Sequence, residues 1–241
     1  MSAPFLTVLR DGPVAVVVLD RPQRKNALGP GFWDEMPTVF ADIDADPEIR
    51  CIVLRGAGDC FTSGLDLVEM LPRLPLDPSG GVDGARQAAL HRLIRSMQTA
   101  ITCVERCRVP VIAAIHGWCL GGGVDLATAA DIRWCSADAV FGVRETRLAM
   151  VADVGTLQRL PRIVGPGHAR ELVYTGEDVD AEHAFRIGLV TKVFPEPHAL
   201  MQSAEALARR IAENPPLAVQ GAKRVMVEAD RHEIDRGLEY V

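Results

Sequence analysis

The segment Leu120-Gly121-Gly122-Gly123-Val124-Asp125 joins an apolar run, Val111 to Ile115, to a small-residue stretch, Leu126 to Ala130. The run reads as a buried strand and the stretch as a helix. A glycine-rich entry to a helix presents free backbone N–H groups at its N-terminus, where negative charge is favoured. Asp125 follows Gly122 by three residues, a spacing that returns its carboxylate to the same helix end. Two readings stay open on these residues. The turn offers an oxyanion donor beside a proton-transfer carboxylate, a pair suited to removing a proton α to a carbonyl. Alternatively, the glycines only permit close packing and the aspartate only favours the dipole. A phosphate loop fits poorly: no Gly-Lys-Ser/Thr follows and the spacing is not G-x-G-x-x-G.

A second unit of the same kind lies upstream. Cys51 to Leu54 reads as a short buried strand, Gly56 to Asp59 as a turn, and Cys60 to Leu67 as the approach to a short helix. It is a candidate to bring the Ser63 N–H beside that of Gly122. Around these units the chain alternates strand and helix patterns. Phe5–Arg10 and Val14–Leu19 form a hairpin across Asp11-Gly12-Pro13. Helical spacing covers Pro30–Ile43, Ala85–Arg106, Thr156–Leu160, Pro166–Tyr174, Asp180–Arg186, His198–Glu213 and Pro215–Ala229. Strands are expected at Asp131–Cys135, Ala139–Gly142 and Gly188–Phe194. Such alternation predicts an α/β fold with a parallel component. The proline- and glycine-rich stretch from Leu71 to Gly84 is expected to be a mobile loop bordering the site.

The 241 residues are 48% hydrophobic and 24% charged, which suits one large domain or one domain with an appendage. A net charge of −6 argues against a general nucleic-acid surface. No apolar stretch approaches the ~18–20 residues needed to span a bilayer. The chain begins without a basic and apolar leader, so a cytoplasmic protein is the expectation. Six cysteines show no paired zinc spacing and six histidines form no H-x-x-x-H, so no metal is expected. Two further acids stand out. Glu145 precedes Asp153 by eight residues, and Asp153 sits in an apolar stretch, either capping the helix that starts near Gly155 or buried for a purpose.

These segments together resemble the crotonase family, the enoyl-CoA hydratases and isomerases. The resemblance is carried by RPQRKNAL, CFTSGLDL, PVIAAIHGWCLGGGVDLATAADIRWCSADAVFGVRET, LAMVADVGTLQRLPRIVG and A-x-R-I-G-L-V, from about Val14 to Val241. It implies a spiral of ββα turns over residues 1–195 and a C-terminal helical trimerisation region over 196–241. Family members usually continue with further helix, so that region is expected to be incomplete in this stretch. Within the family, the acids resemble those of the Δ3,5-Δ2,4-dienoyl-CoA isomerases. Plain hydratases usually carry glutamate in place of Asp125, match Glu145, and have a small residue in place of Asp153.

Carried over residue by residue, the resemblance implies an oxyanion hole at Ser63, Leu65 and Gly122, with the N–H of Ser63 or its neighbour and that of Gly122 holding the thioester oxygen. Asp125, Glu145 and Asp153 become the pocket acids. Lys25 and Ala27 border the CoA nucleotide, and Ser63, Gly64, Leu65, Asp66 and Leu67 line the thioester together with Gly122. The implied activity is conversion of a 3,5-dienoyl-CoA to a 2,4-dienoyl-CoA as an auxiliary step of fatty acid β-oxidation. It needs no cofactor, CoA being part of the substrate, and the implied assembly is a homotrimer or a dimer of trimers. The rival readings are an enoyl-CoA hydratase using Asp125 and Glu145, and a catalytically idle acyl-CoA-binding member of the fold.

Overall fold

A computed structural model describes residues 4–75 and 83–240, with side chains described as far as residue 229. The expected hairpin forms from β1 (Leu6–Asp11) and β2 (Val14–Leu19), paired antiparallel. The chain then runs through α1 (Pro30–Ala45), β3 (Cys51–Gly56), α2 (Leu67–Met70), α3 (Gly84–Arg106) and β4 (Val111–Ile115). Next come β5 (Trp118–Leu120), α4 (Gly122–Ala129), β6 (Ile132–Ser136) and β7 (Val140–Gly142). The remainder is α5 (Thr156–Thr175), β8 (Asp178–Asp180), α6 (Ala181–Arg186), β9 (Lys192–Phe194), α7 (Pro197–Glu213) and α8 (Pro216–Tyr240).

The strands build two sheets, a six-stranded one in the order β1-β2-β3-β4-β6-β9 and a three-stranded one in the order β5-β7-β8. From β2 onward every pairing in the large sheet is parallel. Parallel neighbours need a crossover connection, and each turn of chain supplies one, so the backbone winds as a spiral. Strands buried on both faces read as continuous apolar runs, and VAVVVL, CIVL and VIAAI do so. One face packs on α1, α3 and α4 through Leu19, Leu54, Phe32, Phe40 and Ile101. The other packs on α7, where Leu200, Ala204 and Ala208 meet Val16, Val53, Ile112 and Trp134. The division at residue 195 therefore falls between β9 and a helix that covers the sheet itself.

Several details differ from the sequence reading. The strand before the glycine turn is β5, not β4. The chain leaves the large sheet at His116-Gly117 and enters the small one before reaching Gly121. The helix also starts earlier than expected, at Gly122, so the glycines form its first turn. The expected strand at Gly188–Phe194 shrinks to Lys192–Phe194, because Gly188, Leu189 and Val190 complete a turn whose N–H groups bond back to Phe185 and Ala184. The two helices expected on either side of residue 163 join as α5 across a non-helical Gly165 at φ 78°. Of the loop expected between Leu71 and Gly84, Leu71–Arg73 forms a 3-10 turn; residues 76–82 lie outside the described residues. Among the described residues, no helix is long and apolar enough to cross a membrane.

Candidate active site

The segment from Thr62 to Asp66 is held on both sides by strand-like bonds. On one side, Thr62 donates its N–H to Trp118 O at 2.8 Å and accepts from the Leu120 N–H. On the other, Ser63 donates to Lys25 O at 3.0 Å, Leu28 to Gly64 O at 2.7 Å, and Asp66 to Leu28 O at 3.1 Å. The Gly64 N–H donates to the Thr62 hydroxyl. This leaves the Leu65 N–H, which among the described residues donates to nothing. Gly122 opens α4, so its N–H has no partner within the helix. A side chain at Gly122 would point within 4.0 Å of the Leu65 nitrogen, so the two free donors are neighbours. The pair is Leu65 and Gly122; Ser63 is excluded because its N–H is already spent on Lys25.

Asn26, within the RPQRKNAL segment, organises this arrangement. It is fully buried in the left-handed region at φ 53°. Its amide nitrogen donates to the carbonyls of Ala57, Cys60 and Phe61, and its amide oxygen accepts from the Arg21 N–H. Its own carbonyl accepts from the Thr62 hydroxyl at 2.7 Å. An asparagine between a charged run and an apolar pair, tolerant of positive φ, was the available signal.

Other expected ligand contacts fall differently. The Asp66 carboxylate is taken up by neighbouring protein groups. It is buried, accepts from Arg24 at 3.0 Å on both oxygens, lies 3.8 Å from Arg21, and caps α2 through the Glu69 N–H. Lys25 is exposed, pairs with Asp59 at 3.2 Å and lies 5.8 Å above the Trp118 ring. Ala27 is buried beside it, and Leu67 is half-buried at the start of α2.

The three acids converge. Asp125 is completely buried in the first turn of α4, and its Oδ1 accepts the N–H of Thr156, the first residue of α5, at 2.6 Å. Its Oδ2 has no partner among the described residues. Glu145 opens a 3-10 turn after β7, with a buried Oε2 that is likewise unpartnered. A side chain at Gly121, where φ is +50°, would come within 3.3 Å of Glu145 Oε1, so the glycine makes room for that carboxylate. Asp153 is half-buried and does not cap α5, whose cap residue is Gly155 without a side-chain bond. The helix end that Asp153 was a candidate to satisfy is satisfied by Asp125. The Asp153 carbonyl accepts from Gln98 of α3 at 2.8 Å, which ties this stretch to the core.

Burial raises all three acids. Asp125 rises to about 6, burial being opposed by hydrogen bonding from Thr156 and by the charge of Arg159. Glu145 rises to about 7, first through burial and then through the negative charges of Asp125 and Asp153. Asp153 is raised by burial. Carboxyl groups raised by burial, beside two free N–H donors, suit proton transfer next to a carbonyl whose oxygen gains charge. Among the described residues, no group of three or more histidine, cysteine or acidic side chains is placed to hold a metal.

A family model described as enoyl-CoA hydratase/isomerase matches residues 10–240. The chain belongs to the enoyl-CoA hydratase/isomerase family. A peroxisomal Δ3,5-Δ2,4-dienoyl-CoA isomerase of Arabidopsis thaliana is 45% identical, covering 96% of this chain and 83% of that protein. A mitochondrial one of Dictyostelium discoideum is 44% identical over 93% of this chain and 76% of its own length. A short-chain enoyl-CoA hydratase of Clostridium acetobutylicum stands further off, at 36% over 96% and 84%. The solved enoyl-CoA hydratase/isomerase of Xanthobacter autotrophicus Py2 superimposes with a TM-score of 0.88 at 30% identity, covering 99% of this chain and 86% of that one. These family members correct the cytoplasmic expectation. The isomerases at 44–45% identity are named mitochondrial or peroxisomal.

Proposed function

We propose that the protein isomerises 3,5-dienoyl-CoA to 2,4-dienoyl-CoA. The observation that carries this reading is Asp153: among the described residues it caps no helix, and it shares one electrostatic cluster with Glu145 and Asp125. A hydratase needs only two acids around one water, and a third would be idle there. The similarity to named dienoyl-CoA isomerases agrees with this.

The thioester oxygen sits between the Leu65 and Gly122 N–H groups. One carboxylate takes a proton from C2, and the electron pair spreads from the oxygen along the conjugated chain to C6. A second acid delivers a proton at C6, leaving double bonds at C2–C3 and C4–C5. Glu145 and Asp153 are the two shuttles, and Asp125 stays an anion that orients and polarises them. A base and an acid several carbons apart suit this shift. Residues 25–27 border the CoA nucleotide, and no further cofactor takes part. The active form is a trimer or a pair of trimers; the exposed Leu217, Val225 and Met226 of α8 support association between copies.

The test is absorbance of the extended 2,4-dienoyl thioester during incubation with 3,5-octadienoyl-CoA, for the unmutated protein and Asp153→Asn. Turnover that collapses in the variant supports the reading. No turnover, with crotonyl-CoA hydrated instead, replaces it with a hydratase. Inactivity on both, with acyl-CoA still bound, leaves an idle binding member.

A further inference from the structure

Arg159 is a buried charged side chain that the proposed mechanism leaves without a task. It lies on α5, one turn in from Thr156, and is 2% exposed. Two of its nitrogens are held from α3: Nε and Nη2 each donate to Glu105 at 3.1 Å, and Nη2 donates to the Thr102 hydroxyl at 3.1 Å. Its Nη1 is buried with no partner among the described residues. That nitrogen lies directly under Gly155, where a Cβ would come within 1.7 Å of it, and φ is +132°. A buried guanidinium with a spare N–H is costly to keep unless its charge is used. The next backbone group along is the Thr156 N–H, which holds Asp125.

We infer that Arg159 is a positioning residue for the acid cluster: clamped by Glu105 and Thr102 and passed beneath Gly155, it supplies the positive charge that lets Asp125 stand buried as an anion. The inference rests on the proposed proton shuttle for its purpose, though not for its measurement. Among the described residues, few groups face Asp125. Arg159 and Thr156 approach from α5, Asp153 and Glu145 from the segment before it, and Cys119 from β5, while Glu105 of α3 sits behind Arg159. Arg159 is the cation that opposes the burial of Asp125. With Asp125 anionic, its charge keeps Glu145 protonated nearer to neutral pH, as an acid that delivers a proton must be.

The decisive measurement is the titration of the Asp125 side-chain carboxyl by 13C NMR, its resonance assigned by loss in Asp125→Asn. Arg159→Met is expected to raise the midpoint by about one pH unit, with Glu145 moving the opposite way. Arg159→Lys should fall between that variant and the unmutated protein. Glu105→Gln frees the guanidinium charge and should lower the midpoint. This opposition of sign is what a purely structural clamp would not produce. Unmoved midpoints in Arg159→Lys and Glu105→Gln, or shifts of one sign in both, would overturn the inference even if Arg159→Met fails to fold. An unmutated protein inactive on 3,5-dienoyl-CoA would sink the proposed reaction and leave this titration standing.

Discussion

Asp125 caps a helix to which it does not belong: from α4 its Oδ1 accepts the N–H of Thr156, the first residue of α5, at 2.6 Å. The bond joins a pocket acid to the segment that carries Asp153 and fixes the distance between the two. Asp125→Asn keeps an acceptor there and Asp125→Ala does not. The alanine variant should be less stable than the asparagine variant by about 1–3 kcal/mol, the cost of a buried donor left unpaired. Urea denaturation of the two variants checks this.

Stability should fall as pH rises through the weakly acidic range. The folded-state values of Asp125 and Glu145 lie above their unfolded ones, so the native state binds more protons between about pH 4 and 7. The stabilisation is full below the unfolded values and is lost as pH rises through the folded ones. Relative to the unmutated protein, Asp125→Asn with Glu145→Gln should flatten that slope, by on the order of 6 kcal/mol across the window. Denaturation midpoints at several pH values read it, and parallel profiles for the two proteins would refute it.

The two free N–H groups can be told apart by substitution at the helix start. Gly122 is the first residue of α4, a position whose backbone angle proline accepts. Gly122→Pro deletes the donor, and Gly122→Ala adds only a Cβ, 3.0 Å from Leu28 Cδ1. Proline should lower kcat by roughly 100- to 1,000-fold, as loss of one oxyanion donor does. Alanine should cost much less, and equal losses in the two would remove Gly122 from the hole.

Gly121→Ala places a Cβ 3.3 Å from Glu145 Oε1 at φ +50°. The strain should destabilise the fold by about 1–3 kcal/mol. Displacement of the carboxylate should lower kcat at least tenfold while acyl-CoA binding persists. Isothermal titration beside initial rates separates the two effects.

Asn26→Ala removes the amide that ties Ala57, Cys60 and Phe61 to the Arg21 turn. Several buried carbonyls then lose their donor, for an expected loss on the order of 3 kcal/mol. The Leu65 donor is carried by this loop, so kcat should fall as well. Full activity at a lowered thermal midpoint would show that the loop holds its shape without Asn26.

The sequence by itself determined the alternation of buried strands and helices. VAVVVL, CIVL and VIAAI are apolar without a break, as strands covered on both faces are. It also marked Gly122 and the three acids, because glycine before a helix and charge amid apolar residues are local exceptions that show in the chain itself. The tertiary structure decided which N–H groups are free. Ser63 and Leu65 are indistinguishable as letters, and only the pairing of residues 62–66 between Lys25–Leu28 and β5 spends one donor and spares the other. It decided the state of Asp153, because Asp125, arriving from another helix, took the cap that proximity in sequence had offered to Asp153. It likewise paired the buried Asp66 with Arg24, and brought Glu105 of α3 onto Arg159 across 54 residues. Contacts between residues far apart in sequence depend on how the turns of the spiral stack. That stacking comes from burial summed over the whole chain, so no single motif records it.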